Sequence, residues 1–135
     1  MAGSISTDAG PMWFWGYALD ETLAYRLSAA GTTVWFHPTS TYAPGELGGL
    51  LAKTLIVGVT GEKQTRAKID GLLGEAHPVR VLPTHFDNFF QPMDKGLALF
   101  PGMKLGEQKQ LFLDADPKLE WGVLDYGQTV TLPAD

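Results

Sequence analysis

The sequence predicts an α/β fold in which a mixed sheet has a β-α-β-α-β core and flanking antiparallel strands, all within a single domain over residues 1–135. Three observations lead there. The run "TLIVGV" from Thr54 is continuously apolar and β-branched, as in a strand buried on both faces. Ile69, Leu72, Leu73 and Ala76 then recur at helical spacing. A further apolar run, "VRVLP", begins at Val79, so two strands enclose one helix.

Each element has its own local signal. "PMWFWGYALD", from Pro11 to Asp20, is rich in β-prone aromatics, and in a strand Trp13 and Trp15 project from the same side, as core or interface. "LAYRLSAAGTTVWFH" follows, with Ala30-Gly31 as the turn between two strands of an antiparallel meander. Pro44 opens a short helix, because Leu47, Leu50 and Leu51 lie at i, i+3 and i+4. Thr65 caps the next helix, which ends before Pro78. Right-handed crossovers make the three strands between Thr33 and Pro83 parallel. A loop region rich in Phe, Gly and Pro comes next, and "WGVLDYGQTVTL" is expected to close the fold as a hairpin about Asp125 to Gln128.

Composition narrows the function. A net charge of -5, with no face of clustered Lys and Arg, argues against nucleic acid as a partner. Cysteine is absent, which excludes disulfides, thiolate metal sites and a thiol nucleophile. Any metal has to be held by His, Asp, Glu or water. The opening "MAGSISTDAGP" lacks a basic flank and a long apolar core, and no apolar run reaches the roughly 18 residues of a membrane span, so a cytoplasmic location is expected. Charged residues make up only 19% of the chain, which leaves more apolar surface than a small monomer readily hides.

The carboxyl ends of the parallel strands form the ligand-binding edge of an open α/β sheet. Here they lead into "HPTST" at His37, "GVTGE" at Gly58 and "PTHFDN" at Thr84, which brings Ser40, Thr60 and Thr84 to that edge as candidate ligand-binding hydroxyls. His85 is a candidate metal ligand, with Asp87 to orient its imidazole; the plainer alternative is a loop histidine beside a turn-capping aspartate. His37 is a second candidate ligand or a half-buried edge residue. His77, before Pro78, reads as a charge partner for a helix C-terminus. Ser40 has no nucleophile-elbow context. "GVTGEKQT" departs from the phosphate-loop spacing and reads more simply as a tight strand-to-helix turn. Asp114, Asp116 and Glu120 read as a solvated helix or loop face.

The chain resembles the C-terminal half of the metallo-β-lactamase-fold hydrolases, in particular their lactonase-like and phospholipase-D-like members. The likeness runs from "WGYALDETLAYRLSAAGTTVWFHPTSTY" through "GELGGLLAKTLIVGVTG" to "VRVLPTHFDNFFQPM", and "PTHFDNF" is its most specific piece. The resemblance implies half of an αββα sandwich, with His85 as the last metal ligand and Asp87 supporting the ligand or facing the substrate. Zinc or another divalent metal would be the cofactor. Where the family places Gly-Asp, with an aspartate that bridges two metals, this sequence has Thr39-Ser40. The family's His-x-His-x-Asp-His motif belongs to the other half and is absent, and the whole sequence has three histidines. A catalytic zinc needs about three protein ligands.

Three functions follow as expectations. The first is a half-domain that is not catalytic alone, pairs as a homodimer to cover its sheet and binds a small ligand. The second is a metal-dependent hydrolase of an ester, lactone or phosphodiester, completed in trans by an N-terminal-half partner chain or by the dimer. The third is a small α/β anion-binding protein that uses the "GVTGE" turn.

Overall fold

The computed structural model describes residues 23–39, 42–60 and 64–134. The described residues form an α/β structure with a five-stranded mixed sheet and two α-helices. The segment with Trp13 and Trp15, the residue Ser40, and the Gly61-Glu62 pair lie outside the described residues.

Strands β1 (Tyr25–Ala29) and β2 (Thr32–His37) form an antiparallel hairpin. Ala30 and Gly31 turn it with φ values of 50° and 73°, and two consecutive positive φ values match the right-handed twist of the strands. Strand β3 (Thr54–Gly58) then pairs parallel with β2. The helix expected from Pro44 to Leu51 is not formed: residues 44–49 are a series of turns, with Gly45, Gly48 and Gly49 at φ values of 86°, 62° and 68°. Three glycines in six residues favour left-handed turns over a helix, and only Leu47 of the three leucines is buried. The β2–β3 crossover is therefore a loop.

Helix α1 (Arg66–Ala76) begins as expected at Thr65, whose hydroxyl accepts from the Lys68 N–H at 3.3 Å. Its C-cap is His77, at φ 48°, where the N–H bonds to the Leu73 carbonyl at 2.9 Å. Strand β4 (Arg80–Thr84) runs parallel to β3. The following segment, expected to be loop, contains α2 (Leu105–Ala115). Glu107 to Leu111 are good helix formers, but Phe112 is the only fully buried residue of α2, so its apolar stripe is too narrow to stand out. The expected closing hairpin is also corrected. Strand β5 (Glu120–Trp121) pairs parallel with β4, and although Asp125 to Gln128 does form a turn, no strand flanks it.

The strand order β1-β2-β3-β4-β5 determines where the core lies. Right-handed crossovers that all step in one direction put their connections on one face of a sheet. Both helices accordingly cover the face of Trp35, Leu55, Val57 and Val81, where Ile69, Leu72 and Ala76 of α1 and Phe112 of α2 complete the core. Among the described residues, no helix covers the opposite face. On it Tyr25, Phe36, Ile56 and Leu82 stand side by side, followed by the row Leu27, Val34, Thr54 and Arg80. The C-terminal segment reaches this face at two points: Arg80 donates to the Thr131 carbonyl at 2.6 Å, and Thr32 to the Pro133 carbonyl at 2.6 Å. Leu82 and Val34 are buried, Phe36 and Ile56 are half-buried, and Tyr25 and Leu27 remain 49% and 59% exposed. Among the described residues, no helix is long and apolar enough to cross a membrane.

The loop that replaces the expected helix is held by two carboxylates. Glu75 of α1 accepts from the Tyr42 hydroxyl, the Gly45 N–H and, at 3.0 Å, the Leu47 N–H. Glu46 accepts from the Ala43 N–H at 2.8 Å and contacts His37. Tyr42 lies across Gly71, where a Cβ would come within 2.6 Å of the ring. The Tyr42 hydrogen bond and the Gly45 amide hold the Glu75 carboxyl below its usual range, while burial and Glu75 push the Tyr42 hydroxyl up to about 12. A carboxyl whose folded pKa lies below its unfolded one contributes stability that is present above the unfolded value, near 4.3, and is lost as the pH falls through the folded one. The raised Tyr42 acts oppositely: its contribution is present below pH about 10 and lost as the pH rises through about 12. Urea unfolding is expected to show an acid loss of stability that is smaller in Glu75→Gln. At neutral pH this variant loses about 1–3 kcal/mol, because an amide presents one acceptor oxygen where the carboxylate had two. An unchanged acid limb in Glu75→Gln rules this latch out.

Candidate functional site: the strand-end edge

The register aligns the carboxyl ends of three parallel strands. His37 lies beside Val57 and Val57 beside Pro83, while Gly58 lies beside Thr84. The expected edge is present, and its two outer strands are separated by β3. Strands two apart lie roughly 10 Å from each other.

His85 is the first residue beyond β4 and has φ 60°, a conformation that costs a non-glycine residue about 1–2 kcal/mol. Two contacts from the β3 end hold the turn: the Val59 N–H donates to the Thr84 carbonyl at 3.1 Å, and the Thr60 hydroxyl donates to the His85 carbonyl. The left-handed turn leaves the His85 side chain exposed while Phe86 is buried beneath it. Residues 86–88 then run antiparallel to 98–100 through Asn88 N–H to Ala98 O at 2.8 Å and Phe100 N–H to Phe86 O at 2.9 Å. Asp87 projects from this short ladder and accepts from the Tyr126 hydroxyl at 2.8 Å. That hydrogen bond, followed by burial and the Asp87 charge, raises the Tyr126 pKa above its ordinary phenol value.

Two cavities meet at His85 and Asp87. One, of about 220 Å³, is completed by Thr60, Phe89 and Phe100, with the two rings stacked at 5.9 Å. The other, of about 350 Å³, is lined by Ile56, Leu82, Thr84, Leu97, Leu124 and Tyr126 among others, on the side of the sheet away from α1 and α2. His85, Asp87, Thr60 and Thr84 are thus brought together, as the spacing of the strand ends implied. The Thr60 hydroxyl has a structural partner in the His85 carbonyl. Phe89, Phe100 and Tyr126 were not singled out from the sequence. Tyr126 is 39 residues from Asp87, and no local pattern signals such a pairing.

His37 takes a different place. It is 2% exposed, with Nδ1 at 2.9 Å from the Thr39 carbonyl and Nε2 against the Glu46 carboxylate. A carbonyl can only accept, so Nδ1 donates to it, and Nε2 faces the Glu46 carboxylate. The ring anchors the β2–β3 loop to the strand end. Among the described residues, no group of three or more His, Asp or Glu side chains is placed to hold a metal. Among the described residues, the surroundings of His85 offer one imidazole and one carboxylate already bonded to Tyr126, short of the three ligands of a catalytic zinc. This donor set does not fit a complete hydrolytic centre.

Compared with protein-family models, curated proteins and solved structures, the chain matches none.

Proposed function

We propose that this chain is a metallo-β-lactamase-like half-domain that is not catalytic alone, associates with a second copy through the open side of its sheet, and binds a small ligand in the clefts beside His85. One observation carries the reading. Every crossover lies on one face, and the other keeps Tyr25 and Leu27 largely exposed beside half-buried Phe36 and Ile56. Contiguous apolar surface of this kind favours association over exposure to water. Strand β1 adds a second feature. It is the edge of the sheet among the described residues, all five of its residues are exposed, and none is acidic. Two such edges can pair antiparallel about a two-fold axis, which juxtaposes the two apolar patches in the same step.

The ligand cleft suits a small molecule with an apolar body, packed against the stacked Phe89 and Phe100 rings, and a polar group facing His85 and Asp87. A second reading, a hydrolase completed in trans, is favoured by the His85 backbone, which holds an exposed imidazole at the strand ends in a strained conformation. There His85 would supply one ligand and another chain the rest.

Sedimentation equilibrium at tens of micromolar tests the association, with a dimer expected for the full chain. Leu27→Glu, at a 59% exposed position, is expected to raise the dimer dissociation constant at least about tenfold while leaving the circular dichroism unchanged. A monomer throughout the concentration range excludes association. Stoichiometric zinc in the same preparation supports the second reading over the first.

A further inference from the structure

We propose that the cavity at the opposite edge of the sheet, where β2 and β3 begin, is a binding site for a small phosphate-bearing molecule. The cavity measures about 360 Å³ and is lined by Arg26, Thr33, Leu51, Ala52, Lys53 and His77. It lies away from the strand ends that carry His37 and Thr84, and it does not depend on the half-domain reading.

The argument rests on charge placed by the fold. Three of the six lining residues carry basic side chains and none carries a carboxylate, in a chain with 15 acidic residues and 10 Lys and Arg. Three basic side chains elsewhere are paired with carboxylates: Arg66 with Asp70 at 2.7 Å, Arg80 with Glu120 at 2.7 Å and Lys104 with Glu107 at 2.8 Å. Among the described residues, Arg26, Lys53 and His77 make no ion pair. Arg26 donates only Nε, to the Leu51 carbonyl at 3.5 Å, and its terminal nitrogens remain available.

Backbone contacts fix the three positions relative to one another. Arg26 is held in β1 opposite Trp35. Lys53 is held by its carbonyl, which accepts from the Val79 and Arg80 N–H groups at 2.9 and 3.1 Å, and Ala52 by its N–H to the Ala76 carbonyl at 3.0 Å. His77 is the left-handed cap of α1, tied to Leu73. The backbone positions that carry three positively ionisable side chains, from three separate elements, are thereby in place before any ligand arrives, so that binding has only to order the side chains themselves.

The chemistry selects the ligand. A guanidinium presents a planar fork that matches two phosphate oxygens, and an ammonium adds a point charge. Leu51 and Ala52 offer a small apolar wall, and the volume lies near the lower end, about 300 Å³, of small-molecule sites. The net charge of -5 disfavours an extended polyanion such as nucleic acid, so a compact monoester fits best. The negative end of the α1 dipole lies nearby, and the alternative is that these cations serve only to neutralise it.

Titration of the full chain with inorganic phosphate and with pyrophosphate, followed by amide chemical shifts and calorimetry, separates the two. The site predicts saturable binding in the roughly millimolar range or tighter, weakened by added salt, with shifts centred on Arg26, Thr33, Lys53 and His77. Arg26→Gln and Lys53→Gln are each expected to weaken binding at least about tenfold, or about 1.4 kcal/mol, with unchanged thermal melting, and Arg66→Gln to leave it as it was. Absence of saturation by roughly 10 mM, or equal affinity in the Arg26→Gln/Lys53→Gln double variant, overturns the site. Citrate binding as tightly as phosphate overturns the assignment to phosphate.

Discussion

Replacing Phe112 with alanine is expected to lower the unfolding free energy by about 3–5 kcal/mol, a large part of the roughly 5–15 kcal/mol available to a domain of this size. The ring is fully buried and packs against Trp121 with centroids 5.4 Å apart. No other residue of α2 is fully buried, although Leu105, Leu111, Leu113 and Ala115 pack partly buried against the same core, so Phe112 is the deepest contact between this helix and the sheet. Strand β5 depends on the same contact. It has only two residues, and its backbone bonds from Glu120 N–H to Val79 O and from Gly122 N–H to Val81 O, at 2.9 and 3.1 Å, are its ladder to β4. Losing the ring removes the transfer free energy of a large apolar group and leaves a cavity that the two-residue strand can only partly fill. Urea unfolding measures the loss, and the Trp121 emission should shift to the red as its environment opens. A loss under about 1 kcal/mol would show that α2 is held by contacts other than Phe112.

Gly58→Ala is expected to cost about 1–3 kcal/mol or more, for a different reason. Gly58 has no unusual backbone angle, and by conformational entropy alone an alanine would stabilise the chain. The obstacle is contact: a Cβ there would lie 2.2 Å from the Pro38 carbonyl oxygen and 2.7 Å from its carbon. Both are backbone atoms of the segment leaving β2, so relief requires the β2 and β3 ends to separate. Those ends carry His37 on one side and Thr60 on the other, and hydrogen exchange should therefore rise at Val59 as well as at Thr39. Gly74→Ala is the matched control. It lies in α1 with nothing within 4 Å of the added carbon, and it is expected to stabilise by up to about 1 kcal/mol. Equal effects at the two glycines would mean that close packing between the strand ends is not what requires Gly58.

Much of the fold was legible because its signals are local. The Ala30-Gly31 turn, the cap at Thr65, the apolar run at Thr54 and the helical spacing from Ile69 to Ala76 each depend on a few adjacent residues. Strand ends were equally readable, and with them the grouping of Thr60, Thr84, His85 and Asp87. Where local signals conflicted, the reading failed. Leu47, Leu50 and Leu51 have helical spacing, but Gly45, Gly48 and Gly49 adopt left-handed turns that a carboxylate 28 to 33 residues away stabilises. The segment of α2 shows the converse, since its helix formers surround a single buried ring and leave little periodicity to detect.

By itself, then, the sequence determined the α/β class, the parallel core and the edge at which its loops converge, since backbone preference and apolar period act over a turn or a strand. Tertiary structure alone decided what each polar side chain does there. His37 was drawn into a buried pair with Glu46, Asp87 was joined to Tyr126, and Arg26, Lys53 and His77 were collected around one cavity. Those outcomes depend on contacts between residues as far as 39 positions apart and on segments brought together from three parts of the chain. Charge and hydrogen-bonding capacity are visible in a sequence, but the partner that completes them is set by how the strands and helices stack.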